Sequence, residues 1–125
     1  MGWSGHLTHI HIAREAGAPM QPLDCATLIE IETLEALARD HGIVLSPSET
    51  RRNLTTRDAP LNHLVGRRFR VVAVLLFGAR LNVPCKYLEE VTGKAVYAPL
   101  INRSGLNCEI LEGGVVRPGD AVRPV

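Results

Sequence analysis

The residue pattern of this 125-residue chain predicts a mostly β protein with two or three peripheral helices, an α+β arrangement in a single domain over residues 1–125. Three observations lead there. Residues Leu7–Ile12 alternate apolar and polar, the period-2 mark of a half-buried strand. Phe69–Phe77 is an apolar run rich in valine, suited to a pleated, packed surface. Only one segment, Glu30–His41, has a convincing helical period.

The elements follow in order. After the Leu7–Ile12 strand, Gly17, Pro19 and Pro22 make Ala16–Pro22 a loop. In Glu30–His41 the apolar positions Ile31, Leu34, Leu37 and Ala38 share one face, with His41 in the last turn and Gly42 at the cap. Ser46-Pro47-Ser48-Glu49 has the form of a capping box with proline at the first helical position, which predicts a short helical turn. Arg52–Arg57 reads as a strand, Ala59–Gly66 as a turn or one-turn helix, and Phe69–Phe77 as a strand or pair of strands followed by Arg80–Val83. Pro84–Thr92 looks helical, opened by Pro84 and closed by Gly93. Strands near Asn107–Leu111 and Val115–Arg117 precede a Pro118-Gly119-Asp120 turn and a last short strand.

A chain of this length buries enough surface for one aliphatic core without metal or disulfide staples. It has only five aromatic residues, Trp3, Phe69, Phe77, Tyr87 and Tyr97, so a stacking platform for single-stranded nucleic acid is not expected. Net charge is +1, which gives no global field for a polyanion, and no nucleic-acid partner is expected. The apolar run Val71–Phe77 is far shorter than the roughly 20 residues a membrane helix needs. The opening residues lack the pattern of a signal peptide, and three cysteines (Cys25, Cys85, Cys108) cannot all pair internally, so a reducing cytoplasm is the expected location.

Charge is unevenly placed. Between Arg51 and Arg70 lie six arginines (Arg51, Arg52, Arg57, Arg67, Arg68, Arg70) against one acid, Asp58, for +5; the remaining chain has 8 basic and 12 acidic side chains, for −4. A local patch built only of arginine suits a small anion, because the guanidinium fork grips carboxylate or phosphate bidentately. Alternate arginines on the wet face of strands are the plainer explanation. The chain contains no dinucleotide or P-loop glycine motif and no nucleophile elbow. His9 and His11 share a strand face, yet the sequence identifies no third metal ligand beside them. Cys85 is the most promising reactive group. It follows Pro84 at a predicted helix start and precedes Lys86, and both the helix dipole and the ammonium favour a thiolate. Cys25 and Cys108, in predicted strands, read as small core side chains.

Several segments in sequence order resemble the MOSC domain, the C-terminal domain of molybdenum cofactor sulfurases that also occurs as a stand-alone bacterial protein. They are Ser46-Pro47-Ser48-Glu49-Thr50-Arg51-Arg52-Asn53-Leu54-Thr55-Thr56-Arg57, Leu61–Val71, Pro84-Cys85-Lys86-Tyr87-Leu88-Glu89, Asn102–Leu106 and Leu111–Asp120. The resemblance implies a β-barrel of the pyruvate kinase barrel type with peripheral helices. It implies molybdenum ion binding through a molybdenum cofactor, pyridoxal phosphate binding, or sulfur carriage on a cysteine for metal–sulfur chemistry. An active member would be a sulfur transferase or a reductase of N-hydroxylated compounds linked to that cofactor, with a redox or sulfur-donor protein as partner. It places Cys85 at the catalytic, metal-ligating thiolate position, and Arg51, Arg52, Asn53 and Arg67 where they would face an anionic pterin phosphate.

The chain departs from the family pattern at two places. Family members usually carry a Gly-Asp-Arg-containing segment where Pro22-Leu23-Asp24-Cys25 here runs almost directly into Leu28-Ile29-Glu30. Val72-Ala73 replaces a common Gly-Asp or Gly-Glu turn, which predicts one continuous strand from Phe69 to Phe77. A truncated barrel with a long strand leaves open edges, and strand exchange in a homodimer would cover them. The contrasting expectation is a non-enzymatic barrel that binds a small anion or a protein through the arginines, with Cys85 structural.

Overall fold

Short strands rich in leucine, valine and threonine can bury one face each, and the economical way to hide seven such faces is to wrap them into a ring. The computed structural model describes residues 3–10, 18–20, 24–50, 53–82, 89–90 and 92–125. Its strands are β1 (Gly5–Ile10), β2 (Ala18–Met20), β3 (Cys25–Glu30), β4 (Leu54–Arg57), β5 (Arg68–Val71), β6 (Val74–Leu81), β7 (Leu106–Glu112), β8 (Gly114–Val116) and β9 (Ala121–Pro124). One helix, α1 (Ile31–His41), and two 3₁₀ turns, Pro47–Thr50 and Leu61–Leu64, complete the described elements.

Seven strands close in the order β1-β4-β3-β7-β6-β5-β9 and back to β1, where Gly5 faces Val122. A ring of purely antiparallel neighbours needs an even number of strands. Here the odd count is absorbed by one parallel pair, β3 beside β4, and the connection between them passes through α1. The ring closes within one chain, so closure takes neither a truncated edge nor an exchanged strand. Inward side chains, among them Leu7, Leu28, Leu54, Phe69, Val71, Leu76, Leu106 and Val122, form the main core. The aliphatic composition is thus spent on the barrel interior.

The α1 period is legible in the structure as well. Leu34 and Leu37 are buried against Ile29, Leu45, Val96 and Leu100 in a second core outside the barrel wall. The helix ends where expected: Gly42 takes φ 64°, and its N–H donates to Ala38 O at 3.2 Å. Glu89, Glu90 and Thr92 carry helical backbone, and Gly93 at φ 68° donates to Glu89 O at 2.8 Å, which matches the predicted end of that segment. Among the described residues no helix is long and apolar enough to cross a membrane.

Three expectations are corrected, the first being the Ala16–Pro22 loop, of which Ala18–Met20 forms strand β2 paired with β8. Phe69–Phe77 is not one strand: Val71 pairs with Val74, making β5 and β6 a hairpin around Val72-Ala73. Val72 sits at φ 53° with 56 % of its surface exposed, a conformation that glycine adopts freely and a β-branched residue resists. Ring closure requires the hairpin whether or not the turn residue suits it. The strain costs about 1–3 kcal/mol, so Val72→Gly is expected to raise stability by about 1 kcal/mol after the added chain entropy of glycine. A melting temperature higher by about 4 °C checks this; an unchanged or lower one overturns it. Cys25, in turn, is exposed rather than in the core, because it begins β3 on the outer face, opposite Glu109. Cys108, on the inner face opposite Ala26, is buried as expected.

Strand direction gives the barrel two unlike mouths. At one, which we call the near mouth, β3, β4, β6 and β9 end and β1, β5 and β7 begin. The 3₁₀ turn Leu61–Leu64 belongs to it, with Leu61 and Leu64 tucked inward. The far mouth is covered by the β2–β8 ribbon, through buried Met20 and Val116.

Candidate functional site

The described arginines of the Arg51–Arg70 stretch do not stay together when the chain folds. Arg57 leaves β4 on the outer wall and is held by Glu35 of α1 at 2.7 Å; that hydrogen bond keeps the Glu35 carboxyl below the usual carboxylate range. Arg70 donates to Glu112 Oε1 and to Ala73 O, both at 3.1 Å, so it braces the β5–β6 turn. Arg51 and Arg52 lie outside the described residues, as does Cys85. That leaves Arg67 and Arg68, which make no ion pair among the described residues.

Asn53 and Arg67, both expected at the anion site, lie at opposite ends of the barrel. Each immediately precedes a strand, but β4 and β5 run in opposite directions around the ring, so the residues leading into them depart from opposite mouths. Asn53 is occupied at the far mouth. Its Oδ1 accepts from Thr27 N at 2.9 Å and Thr27 Oγ1 at 3.1 Å, while its own N–H donates to Thr27 Oγ1. This knot ties the parallel β3–β4 pair together at the point where both strands begin.

Arg67 stands at the near mouth. Its N–H donates to Leu64 O at 3.0 Å and its carbonyl accepts from Gly78 N at 2.9 Å, which fixes the backbone between the 3₁₀ turn and β6. Gly78 is required there, because an added Cβ would meet Leu64 O at 2.1 Å. Arg67 lines a cleft of about 600 Å³ with Trp3, Pro60, His63, Arg68 and Pro124. Across Pro60 and His63 lies a second cleft of about 420 Å³, lined by Glu30, Glu32, Asn62, His63, Arg103 and Gly105. Burial raises the Glu30 carboxyl above its ordinary value, partly offset by the N–H that Leu61 donates to it; Glu32 raises it further, and His63 and Arg103 lower it. The mouth therefore presents a cationic cleft and a mixed acidic one on either side of a single turn.

Sequence reasoning did not single out Glu30, Glu32, His63 and Arg103 as site residues. The two glutamates look like ordinary acids at a helix entry, a placement the helix dipole alone accounts for. His63 and Arg103 sit inside segments that carry the family resemblance, and the convergence of those segments on one mouth is the signal that was available.

The described residues supply no group of three His, Cys, Asp or Glu side chains able to hold a metal ion. His9 is exposed, with Nδ1 3.0 Å from Thr8 Oγ1. Of the two lysines in the chain, Lys94 donates to Val44 O at 2.6 Å, which leaves Lys86 as the amine a pyridoxal phosphate would need. Arg67 and Arg68, which make no ion pair among the described residues, border with His63 a cleft of ligand size, a lining that suits the phosphate of pyridoxal phosphate and of a molybdenum cofactor alike.

The barrel has close structural counterparts. Over 98 % of this chain and 95 % of the other, it matches the YuaD protein from Bacillus subtilis with a TM-score of 0.77 at 15 % identity. YiiM from Geobacillus stearothermophilus matches with a TM-score of 0.75 at 14 % identity, over 97 % of this chain and 75 % of that one. YiiM from Escherichia coli matches with a TM-score of 0.75 at 17 % identity, over 100 % and 70 %. At these identities the likeness speaks for the fold alone. No curated protein matches the chain. The model of the MOSC domain matches residues 16–123, which takes in all the strands except β1 and the closing residue of β9, together with both segments that meet at the near mouth. With that match over most of its length, the chain belongs to the MOSC domain family, a family associated with the molybdenum cofactor.

Proposed function

We propose that the near mouth holds the anionic end of a molybdenum cofactor through Arg67, with Arg68 and His63 beside it, and that Cys85 is the thiolate that ligates the metal or carries sulfur. The observation that carries this reading is the cleft around Arg67, which makes no ion pair among the described residues and whose backbone is pinned by Leu64 and Gly78 at the mouth of a closed barrel. A guanidinium on fixed backbone can offer a dianionic phosphate two parallel donors.

Chain connectivity supports including Cys85. It follows the end of β6 by four residues, and four residues of chain reach at most about 14 Å. Strand β6 ends at the same mouth. Once bound, the cofactor supplies two-electron metal chemistry; the protein's share is to orient its phosphate and offer one soft ligand. In sulfur carriage the Cys85 thiolate attacks the outer sulfur of a donor persulfide, forming a new persulfide and releasing the donor's thiolate.

A thiol titration of the native protein tests the role of Cys85. Cys108 should stay silent, because burial pushes its thiol up to about 12 and it remains protonated at working pH. A fast-reacting thiol that disappears in Cys85→Ser and persists in Cys25→Ser supports the reading; a fast phase unchanged by Cys85→Ser overturns it. Molybdenum content after expression in a cofactor-competent host separates metal ligation from sulfur carriage.

A further inference from the structure

We infer that Glu30 and Glu32 are positioning residues for the cationic cleft, acting as two latches on the segment that carries His63 and leads into Arg67. This rests on the reading of the near mouth as an anion site. The two carboxylates stand at the entry of α1, one residue apart across Ile31, and each captures a backbone N–H of the segment that follows β4. Glu32 Oε2 accepts from Asp58 N at 2.7 Å, and Glu30 Oε2 accepts at 3.1 Å from Leu61 N, an N–H shared with Ala59 O at 2.9 Å.

The captured segment has reason to need holding. Asp58 sits at φ 62°, in the left-handed region that aspartate enters more readily than most side chains but still sparingly, and Pro60 offers no N–H of its own. A third tie comes from Asn62 Nδ2, which donates to Asn102 O at 2.8 Å. Beyond the latches, backbone hydrogen bonds continue up to the arginine. His63 N donates to Pro60 O at 2.9 Å, Arg67 N donates to Leu64 O, and Gly66 N donates to Gly78 O at 2.7 Å. The position of Arg67 thus depends on a turn whose start is gripped by two glutamates.

Their chemistry sets them apart from ordinary helix-entry acids. An acid that merely complements the helix dipole needs no partner outside the helix. Both of these reach across to a different segment, and the carboxylate charge they bring to a mouth meant for an anion opposes binding. Their value to the site is the hydrogen bond, which glutamine can reproduce without the charge.

The test compares the double variants Glu30→Ala/Glu32→Ala and Glu30→Gln/Glu32→Gln, both of which remove the charge while only the second keeps the acceptors. In the alanine variant, amide hydrogen exchange at Asp58 and Arg67 is expected to speed up about tenfold or more, and in the glutamine variant to stay within about threefold of wild type. Affinity for inorganic phosphate should be weaker in the alanine variant than in the glutamine variant by about fivefold. Unchanged exchange at Arg67 in the alanine variant overturns the inference, as does equal loss in both variants. If wild-type protein binds no phosphate, the anion-site reading fails, and the exchange comparison still decides whether the latches position Arg67. Should the alanine variant fail to fold, the single variants Glu30→Ala and Glu32→Ala take its place under the same criteria.

Discussion

Gly105→Ala is expected to lower stability by about 4 kcal/mol, among the largest effects a single methyl group can produce. Two costs coincide at this residue. Gly105 sits at φ 104°, where a side chain is strained by about 1–3 kcal/mol. A Cβ there would also meet Leu28 O at 2.1 Å and the Leu28 carbonyl carbon at 3.1 Å, and both are backbone atoms of the barrel wall. The carbonyl of Gly105 accepts from Asn82 N at 2.8 Å, so moving it away would loosen the end of β6 as well as the β3–β7 pair. Thermal or urea unfolding should show a melting temperature lower by about 15 °C. Gly119→Ala is the control: Gly119 has φ 90° with nothing within 4 Å of an added Cβ, so it carries the strain without the collision. Equal losses at the two sites would show that the approach to Leu28 contributes nothing.

The second large effect concerns binding. Arg67→Ala should weaken inorganic phosphate binding by about 10- to 100-fold, the worth of a charge-assisted pair of hydrogen bonds. Arg57→Ala and Asn53→Ala should change it by less than about twofold, since Arg57 is committed to Glu35 on the outer wall and Asn53 to Thr27 at the far mouth. Titration by calorimetry or chemical-shift perturbation measures all three. An Arg57→Ala loss as large as that of Arg67→Ala would mean that the sequence patch acts as one, against the folded geometry. Affinity should also fall with added salt, because the cleft is open to solvent.

That contrast shows where reading the sequence succeeds and where it stops. Local signals were legible: the period of α1, its Gly42 cap, the alternation of β1 and the turn at Pro118–Asp120 are set by neighbours within a few residues. The Val72-Ala73 turn was hidden because neither residue favours a turn; the hairpin is imposed by ring closure on residues that locally prefer an extended strand. Cys25 looked internal because strand alternation does not say which face is inward until β7 is placed beside it. The described arginines of the patch are divided on the surface, Arg57 and Arg70 holding glutamates and Arg67 and Arg68 standing at the near mouth. Asn53 and Arg67 are only 14 positions apart in the sequence, yet two strands of opposite direction send their leading residues to opposite mouths, and only topology contains that information. The glutamate latches lie about thirty residues from their partners, a long-range pairing no local pattern encodes.

The order of strands around the ring also governs how the protein is made. Strand β9 fits between β5 and β1, so the sheet cannot close until residues 121–124 have been synthesised. Until then β1 and β5 each carry an unpaired edge on the ribosome, and the nascent chain has nearly every strand but no closed barrel. Closure joins strands more than a hundred residues apart, a contact of high sequence separation that folds slowly. A four-residue strand thus completes the fold, and loss of those residues would expose both edges at once to intermolecular pairing.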